Sequence, residues 1–161
     1  TIGFKINYVY AKRCLGAPGD SVRIKDGFYR DEEGRIVGES EFQYRLHNLS
    51  DSSLMKIKGC YYAMNGWNIK NFGPAYVPGT GDKVTVGRSD FLWYRKLIKY
   101  ETGFMPTIDG QGRVFLDGKI LSEYTFKHNW YFLGGDNVLD SRDSRYFGLV
   151  PEEYIVGIVI R

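Results

Sequence analysis

The sequence predicts a mostly β, largely antiparallel protein with one helix. Three observations carry this. Glycine-bearing turn signals recur along the chain, short alternating or β-branched runs lie between them, and a single segment combines helical apolar spacing with start and stop signals. At 161 residues the chain suits one domain with room for an elaborated insertion. A chain of that size buries roughly 70% of its unfolded surface, enough for a real core.

Taken in order, Asn7 to Leu15 alternates apolar and aromatic residues around Lys12 and reads as a strand. Gly16-Ala17-Pro18-Gly19-Asp20 is a turn, and Ser21-Val22-Arg23-Ile24 is a half-buried strand. Lys25-Asp26-Gly27 is the next turn, and residues 39–57 are ambiguous. Gly79-Thr80-Gly81-Asp82 leads into the strand Lys83-Val84-Thr85-Val86. The helix comes next: Ser89 or Asp90 caps it, Phe91, Tyr94, Leu97 and Ile98 share a face, and Gly103 stops it. Asp109-Gly110-Gln111-Gly112, the strand Arg113-Val114-Phe115-Leu116 and the turn Asp117-Gly118 follow. The apolar run Trp130–Leu133 and the terminal run Tyr154–Ile160 complete the strands.

Composition excludes several classes. The net charge of +3 comes from bases interleaved with acids, as in Arg30-Asp31-Glu32-Glu33-Gly34-Arg35, which argues against a nucleic-acid partner. The densest basic stretch, Arg95-Lys96-Leu97-Ile98-Lys99, reads as a solvated helix face, and the Tyr and Trp residues as core and groove lining. Cys14 and Cys60, with His47 and His128, lack the paired spacing of zinc sites, and sequence leaves open whether the two cysteines form a disulfide. No apolar run in these residues is long enough to cross a bilayer, and none of them reads as a signal peptide. The chain opens at Thr1 inside a strand-like segment, so it is expected to be a piece of a longer protein.

Residues 134–148, GGDNVLDSRDSRYFG, crowd three Asp, two Arg and two Ser between glycines. A solvated turn explains the Gly, Asp, Asn and Ser, but not the arginines. An extended backbone puts Asp143 with Arg145, and Asp140 with Arg142, on one face. Lys12 is the second conspicuous residue. In isolation it reads as an edge-strand lysine that discourages aggregation. The alternative is a desolvated lysine, because an ammonium buried without a carboxylate partner favours the neutral amine, which can accept a proton from a serine hydroxyl.

Together, KRCLGAPGD at 12–20 and GDN, DSRDSRYFG and LVPEEYIVG near the other end resemble two boxes of the type I signal peptidases. These are the Ser-Lys proteases that remove signal peptides from exported proteins. The resemblance implies a signal-peptidase-like antiparallel β catalytic core over 1–27 and 113–161, with an inserted β-rich subdomain over 28–112. It implies that Lys12 is the general base, that Ser141 orients its amine, and that Arg13, Gly135, Asp136, Asn137, Asp143 and Arg145 support the site. In this reading the acidic loop folds inward against the lysine strand, where buried carboxylates must be paired. Gly134 and Gly135 permit the close backbone approach. Tyr10 and Ala11 correspond to positions lining shallow pockets for small residues at −1 and −3. No cofactor is implied. The implied partners are signal peptides of exported precursors, at the outer, periplasmic face of the bacterial cytoplasmic membrane, reached through an N-terminal anchor.

Two departures stand out. Val138-Leu139-Asp140 follows GDN where the family often carries further polar residues, so the loop tip is expected to be rearranged. The family's nucleophile motif, Ser-Met-x-Pro-Thr, does not occur; Gly103-Phe104-Met105-Pro106-Thr107 has glycine for serine and lies between the boxes. These residues by themselves are therefore expected to be inactive. The competing expectation is a non-catalytic paralogue or accessory β domain that binds exported precursors. A third reading, a self-cleaving SOS-repressor-type domain, shares Ser-Lys chemistry but does not predict the GDN and DSRDSR loop.

Overall fold

The computed structural model describes residues 9–31, 33–57 and 66–160. Four small antiparallel sheets and four helices share one apolar core among these residues. The first strands are β1 (Arg13–Gly16), β2 (Ser21–Lys25) and β3 (Phe28–Arg30). In β2, Val22 and Ile24 point inward while Ser21, Arg23 and Lys25 face solvent, the period-two pattern of a half-buried strand. The β2–β3 turn is Asp26-Gly27, with φ of 52° and 89°. Positive φ at both central residues is the hairpin geometry that Asp-Gly tolerates, and Asp117-Gly118, at 48° and 74°, repeats it further on.

The ambiguous stretch 39–57 is helical: α1 (Ser40–His47) and α2 (Asp51–Leu54). Ser50 caps α2 by accepting from Ser53 N. Next come β4 (Phe72–Tyr76), β5 (Lys83–Thr85) and α3 (Phe91–Thr102). α3 is the predicted helix, and Gly103 ends it in the left-handed conformation at φ 80°. Its start differs from expectation. Asp90 makes no side-chain cap hydrogen bond, because its carboxylate accepts the Ser89 hydroxyl instead. β6 (Thr107–Ile108), β7 (Val114–Leu116), β8 (Lys119–Ile120), β9 (Glu123–Thr125), β10 (Trp130–Gly134), α4 (Ser144–Phe147) and β11 (Val150–Pro151) complete the order.

The sheets are ordered β1-β10-β11, β3-β2-β4, β5-β9 and β6-β7-β8. Four of these pairings, β2–β3, β2–β4, β5–β9 and β6–β7, cross the expected boundaries at 27/28 and 112/113. The core crosses them too. Phe72 of β4, Trp93 of α3 and Phe132 of β10 pack with ring centroids 5.7–6.4 Å apart. At the end of α3 the Glu101 carboxylate, on a fully buried side chain, accepts from Tyr124 Oη, Lys127 N, His128 N and Trp130 Nε1, tying the helix to the entry of β10.

Two strand expectations are corrected. Among the described residues the run Asn7–Leu15 is paired only from Arg13: Asn7 and Tyr8 lie outside the described residues, and 9–12 are in no ladder. The run Tyr154–Ile160 forms no strand among the described residues: Tyr154 ends a 3-10 turn, and Val156, Ile158 and Ile160 are 79%, 89% and 92% exposed. Alternation makes a strand possible, but only a neighbouring backbone supplies its hydrogen bonds.

The turn into β5 is held by Asp82, whose carboxylate accepts from Tyr76 Oη at 2.6 Å and from Gly79 N at 2.7 Å. The Tyr76 hydrogen bond, then that of Gly79, holds the Asp82 carboxyl below its usual range, and the Tyr76 phenol, through Asp82 first, is pushed up to about 12. A depressed carboxyl stabilises the fold above its unfolded value, near ~3.9, and loses this as pH falls. A raised phenol stabilises below its unfolded value, near ~10, and loses this as pH climbs toward about 12. Tyr76→Phe should therefore destabilise at neutral pH, and the gap from the native protein should narrow at both extremes. Urea midpoints measured across pH will check this.

Candidate active site

The candidate site forms where β1 meets the loop between β10 and α4. β1 pairs antiparallel with β10, Arg13 opposite Gly134 and Cys14 opposite Leu133, so Lys12 lies level with the point where β10 ends and the loop begins. Lys12 is half-buried, and its Nζ donates to Ser141 Oγ at 2.8 Å. The nearby carboxylates are engaged by arginines: Asp136 by Arg13 and Asp143 by Arg145. Among the described residues no carboxylate stands within ion-pair distance of the Lys12 amine.

Gly135 explains how a loop comes so close. A Cβ built there would fall on the Ser141 hydroxyl and lie 3.3 Å from Lys12 Nζ. At Gly134 a Cβ would meet the Leu15 side chain. Here glycine serves close backbone approach rather than unusual torsion.

Asp143 organises the loop. Its carboxylate accepts Gly135 N at 3.0 Å, Arg145 N at 3.2 Å, Arg145 Nε at 2.8 Å and Arg145 Nη2 at 2.7 Å. Both side chains are fully buried. Burial works against the Arg145 charge, but the hydrogen bonds and charge of Asp143 outweigh it and raise the guanidinium above its ordinary range. Ser144 Oγ accepts Leu133 N at 2.9 Å, which fastens α4 to β10. Arg13 spans Asp136 at 2.8 and 3.0 Å and reaches Glu39 at 3.4 Å, and the Asp136 hydrogen bond leads the rise in its pKa.

The structure thus gathers Lys12, Arg13, Gly135, Asp136, Ser141, Asp143 and Arg145. Asn137 is exposed, with its carbonyl accepting Asp140 N, and Ala11 and the 72%-exposed Tyr10 face solvent beside Lys12. Asp140 and Arg142 are also exposed, so the second Asp-x-Arg pair lies outside the buried network. The altered loop tip has a clear role: Val138 is 1% exposed and joins the core, anchoring the loop by an apolar side chain. Sequence reasoning missed Val138 as an anchor, Glu39 beside Arg13, and Tyr29 beside Arg145. A valine inside a polar run was the available signal for the first; the other two carried none. Gly103-Phe104-Met105-Pro106-Thr107 serves as helix cap and connection into β6, with Phe104 and Met105 exposed and Pro106 buried. Cys14 is exposed, and Cys60 lies outside the described residues, as does any question of their pairing. Among the described residues no cluster of His, Cys, Asp and Glu could hold a metal ion.

Comparison with known proteins puts the chain among the peptidases. Residues 4–161 match the family described as "Signal peptidase, peptidase S26", and the chain belongs to that family. It is 29% identical over 167 residues to "Signal peptidase I" of Buchnera aphidicola subsp. Acyrthosiphon pisum (strain APS), covering 96% of this chain and 48% of that protein. It is also 29% identical over 114 residues to "Chromophore lyase CpcT/CpeT 2" of Trichodesmium erythraeum (strain IMS101), covering 66% of this chain and 58% of that protein. The chain spans about half the length of the curated relatives it matches.

Two substitutions test the geometry. Removing one partner of a buried ion pair costs about 3–5 kcal/mol, so Asp143→Ala should lower the melting temperature by on the order of 10 °C in a domain of this size. Calorimetry will check it; an unchanged melting temperature would contradict the buried pair. Gly135→Ala should push Ser141 Oγ away from Lys12 Nζ. A crystal structure of the variant should show that hydrogen bond broken.

Proposed function

We propose that this chain carries the lysine-bearing part of a type I signal peptidase, a serine endopeptidase with a Ser-Lys dyad that removes signal peptides from exported precursors. The observation that carries this reading is the Lys12 amine bonded to Ser141 Oγ beside a strand that is an edge among the described residues, with Asp136 and Asp143 each already matched to an arginine. A lysine so placed has a hydroxyl to orient its amine.

In this mechanism a serine from the family's Ser-Met-x-Pro-Thr box, a pattern absent from these 161 residues, attacks the scissile carbonyl. Its hydroxyl proton passes to the Lys12 amine, acting as general base, as the tetrahedral intermediate forms, with backbone N–H groups stabilising the oxyanion. The protonated Lys12 then hands that proton to the departing amine. Water hydrolyses the acyl-enzyme by the same route, with Lys12 again as base. Ser141 keeps the amine aimed throughout, Arg13, Gly135, Asp136, Asp143 and Arg145 keep the loop against the strand, and Asn137 supports the loop's own turn by accepting Asp140 N.

β1 pairs with β10 on one side and with no strand on the other among the described residues. An extended precursor could add there as a further strand, its small −1 and −3 side chains beside Tyr10 and Ala11. The division into a catalytic core, 1–27 and 113–161, and an insertion, 28–112, belongs to the proposal as a topological one, since both parts share a core. So does a position at the outer face of the bacterial cytoplasmic membrane; among the described residues no helix is long and apolar enough to cross a membrane. The second reading is a non-catalytic paralogue or accessory domain that binds the same precursors.

Cleavage of a precursor with Ala at −1 and −3 decides between them. These 161 residues are expected to leave it intact, whereas a chain that also carries the serine box upstream should cut it. In that longer chain Lys12→Ala should lower the rate about 10²–10⁴-fold, the share typical of general acid–base catalysis. Cutting by the shorter chain, or wild-type rates from Lys12→Ala, would refute the mechanism.

A further inference from the structure

The guanidinium of Arg145 is enclosed on more sides than its ion pair requires. Asp143 takes Nε and Nη2, while the rings of Tyr29 and Tyr146 lie with centroids 5.8 and 5.6 Å from its Cζ. Its remaining nitrogen, Nη1, is buried with no hydrogen-bond partner among the described residues, and so is the Tyr29 hydroxyl. Tyr29 is 3% exposed and Arg145 not at all. Burial, partly opposed by the Arg145 charge, holds the Tyr29 phenol well above its ordinary pKa, so its oxygen keeps its proton beside the cation. Nη1 can only donate, and a phenol oxygen can accept. One internal water could bridge two complementary buried groups of this kind.

Tyr29 belongs to β3, far from the loop in sequence, and its backbone is held firmly. Gln43 of α1 is 1% exposed, accepts Tyr29 N at 2.8 Å and donates to Val37 O at 2.7 Å, while Val37 N donates to Tyr29 O at 2.9 Å. The same segment reaches the other site arginine, since Glu39 lies 3.4 Å from Arg13 Nη2.

We propose that Tyr29 is a positioning residue of the Lys12–Ser141 site, holding Arg145 from behind so that Asp143 keeps the Gly135 amide, and Gly135 keeps its place against Ser141 and Lys12. The contacts form one unbroken chain: Tyr29 to Arg145, Arg145 to Asp143, Asp143 to Gly135 N. The catalytic consequence rests on the signal-peptidase reading; the coupling from Tyr29 to Gly135 does not.

The test has two arms. In the 161-residue chain, hydrogen exchange at Gly135 N is compared with that at Val86 N, which is buried and bonds to Ser122 O beside the β5–β9 pair. Tyr29→Leu should speed Gly135 exchange by about tenfold or more while leaving Val86 within about twofold, because loops open independently of core strands. Tyr29→Phe, which keeps the ring over Arg145 and loses the hydroxyl, should fall between Leu and native. Unchanged Gly135 protection in Tyr29→Leu, or a loss that Val86 shares equally, overturns the proposal. In the serine-bearing chain, Tyr29→Leu should lower kcat about 10–100-fold with little change in KM, the signature of a misplaced catalytic group. A raised KM with kcat preserved also overturns it. Lys12→Ala serves as the control: wild-type cleavage by that variant would refute the dyad while leaving the exchange result intact.

Discussion

The buried ion pair between Asp143 and Arg145 is the constraint on which the rest of the site depends. Both side chains are shut off from water, and two charges removed from water lose more hydration than one contact returns unless geometry and further hydrogen bonds are good. Four N–H bonds converge on the one carboxylate. Three come from Arg145 itself, and the fourth comes from Gly135, across the loop. Satisfying the carboxylate therefore closes the loop. The closed loop in turn carries Ser141 to the Lys12 amine.

That closure separates two kinds of polar contact. Asp136 and Arg13 are each about one-third exposed, and such a pair contributes modestly in solvent. Its value is geometric, since Arg13 is the residue after Lys12 and a bidentate guanidinium fixes strand to loop in one orientation. The inner pair is different. It has no water to fall back on, so its loss would leave an uncompensated buried charge. Val138 adds an apolar anchor to the same loop, and Ser144 ties its far end to Leu133. A loop rich in Gly, Asp and Ser is thereby fixed at several points along its length.

The scaffold follows from ordinary packing. β1 reaches the loop because it pairs with β10, and β10 is placed by Trp130 and Phe132 in the core. Residues from both sides of the expected domain boundaries meet there, with Phe72, Trp93 and Phe132 in one aromatic cluster. The segment expected to be an insertion thus supports the site directly. Tyr29 and Glu39 each touch one of its arginines.

Local chemistry made much of this legible. Asp-Gly turns with positive φ, the alternation of Ser21–Ile24, and the spacing of Phe91, Tyr94, Leu97 and Ile98 ending at Gly103 depend on a few neighbouring residues, and all appear in the fold. The lysine and loop motifs were equally visible, because their residue types are unusual together. Other features needed tertiary structure. Apolar alternation over Tyr154–Ile160 left its pairing undecided, since a strand is completed by hydrogen bonds from a distant segment. Residues 39–57 became helical against a core that includes Leu46, with Gln43 buried as a backbone bridge. The sequence by itself determined which charges must be matched and which turns could form. Only the tertiary structure decided that Asp143 takes Arg145, that Asp140 and Arg142 stay in solvent, and that Tyr29 stands behind the pair, because burial and distance arise from the whole chain packing at once.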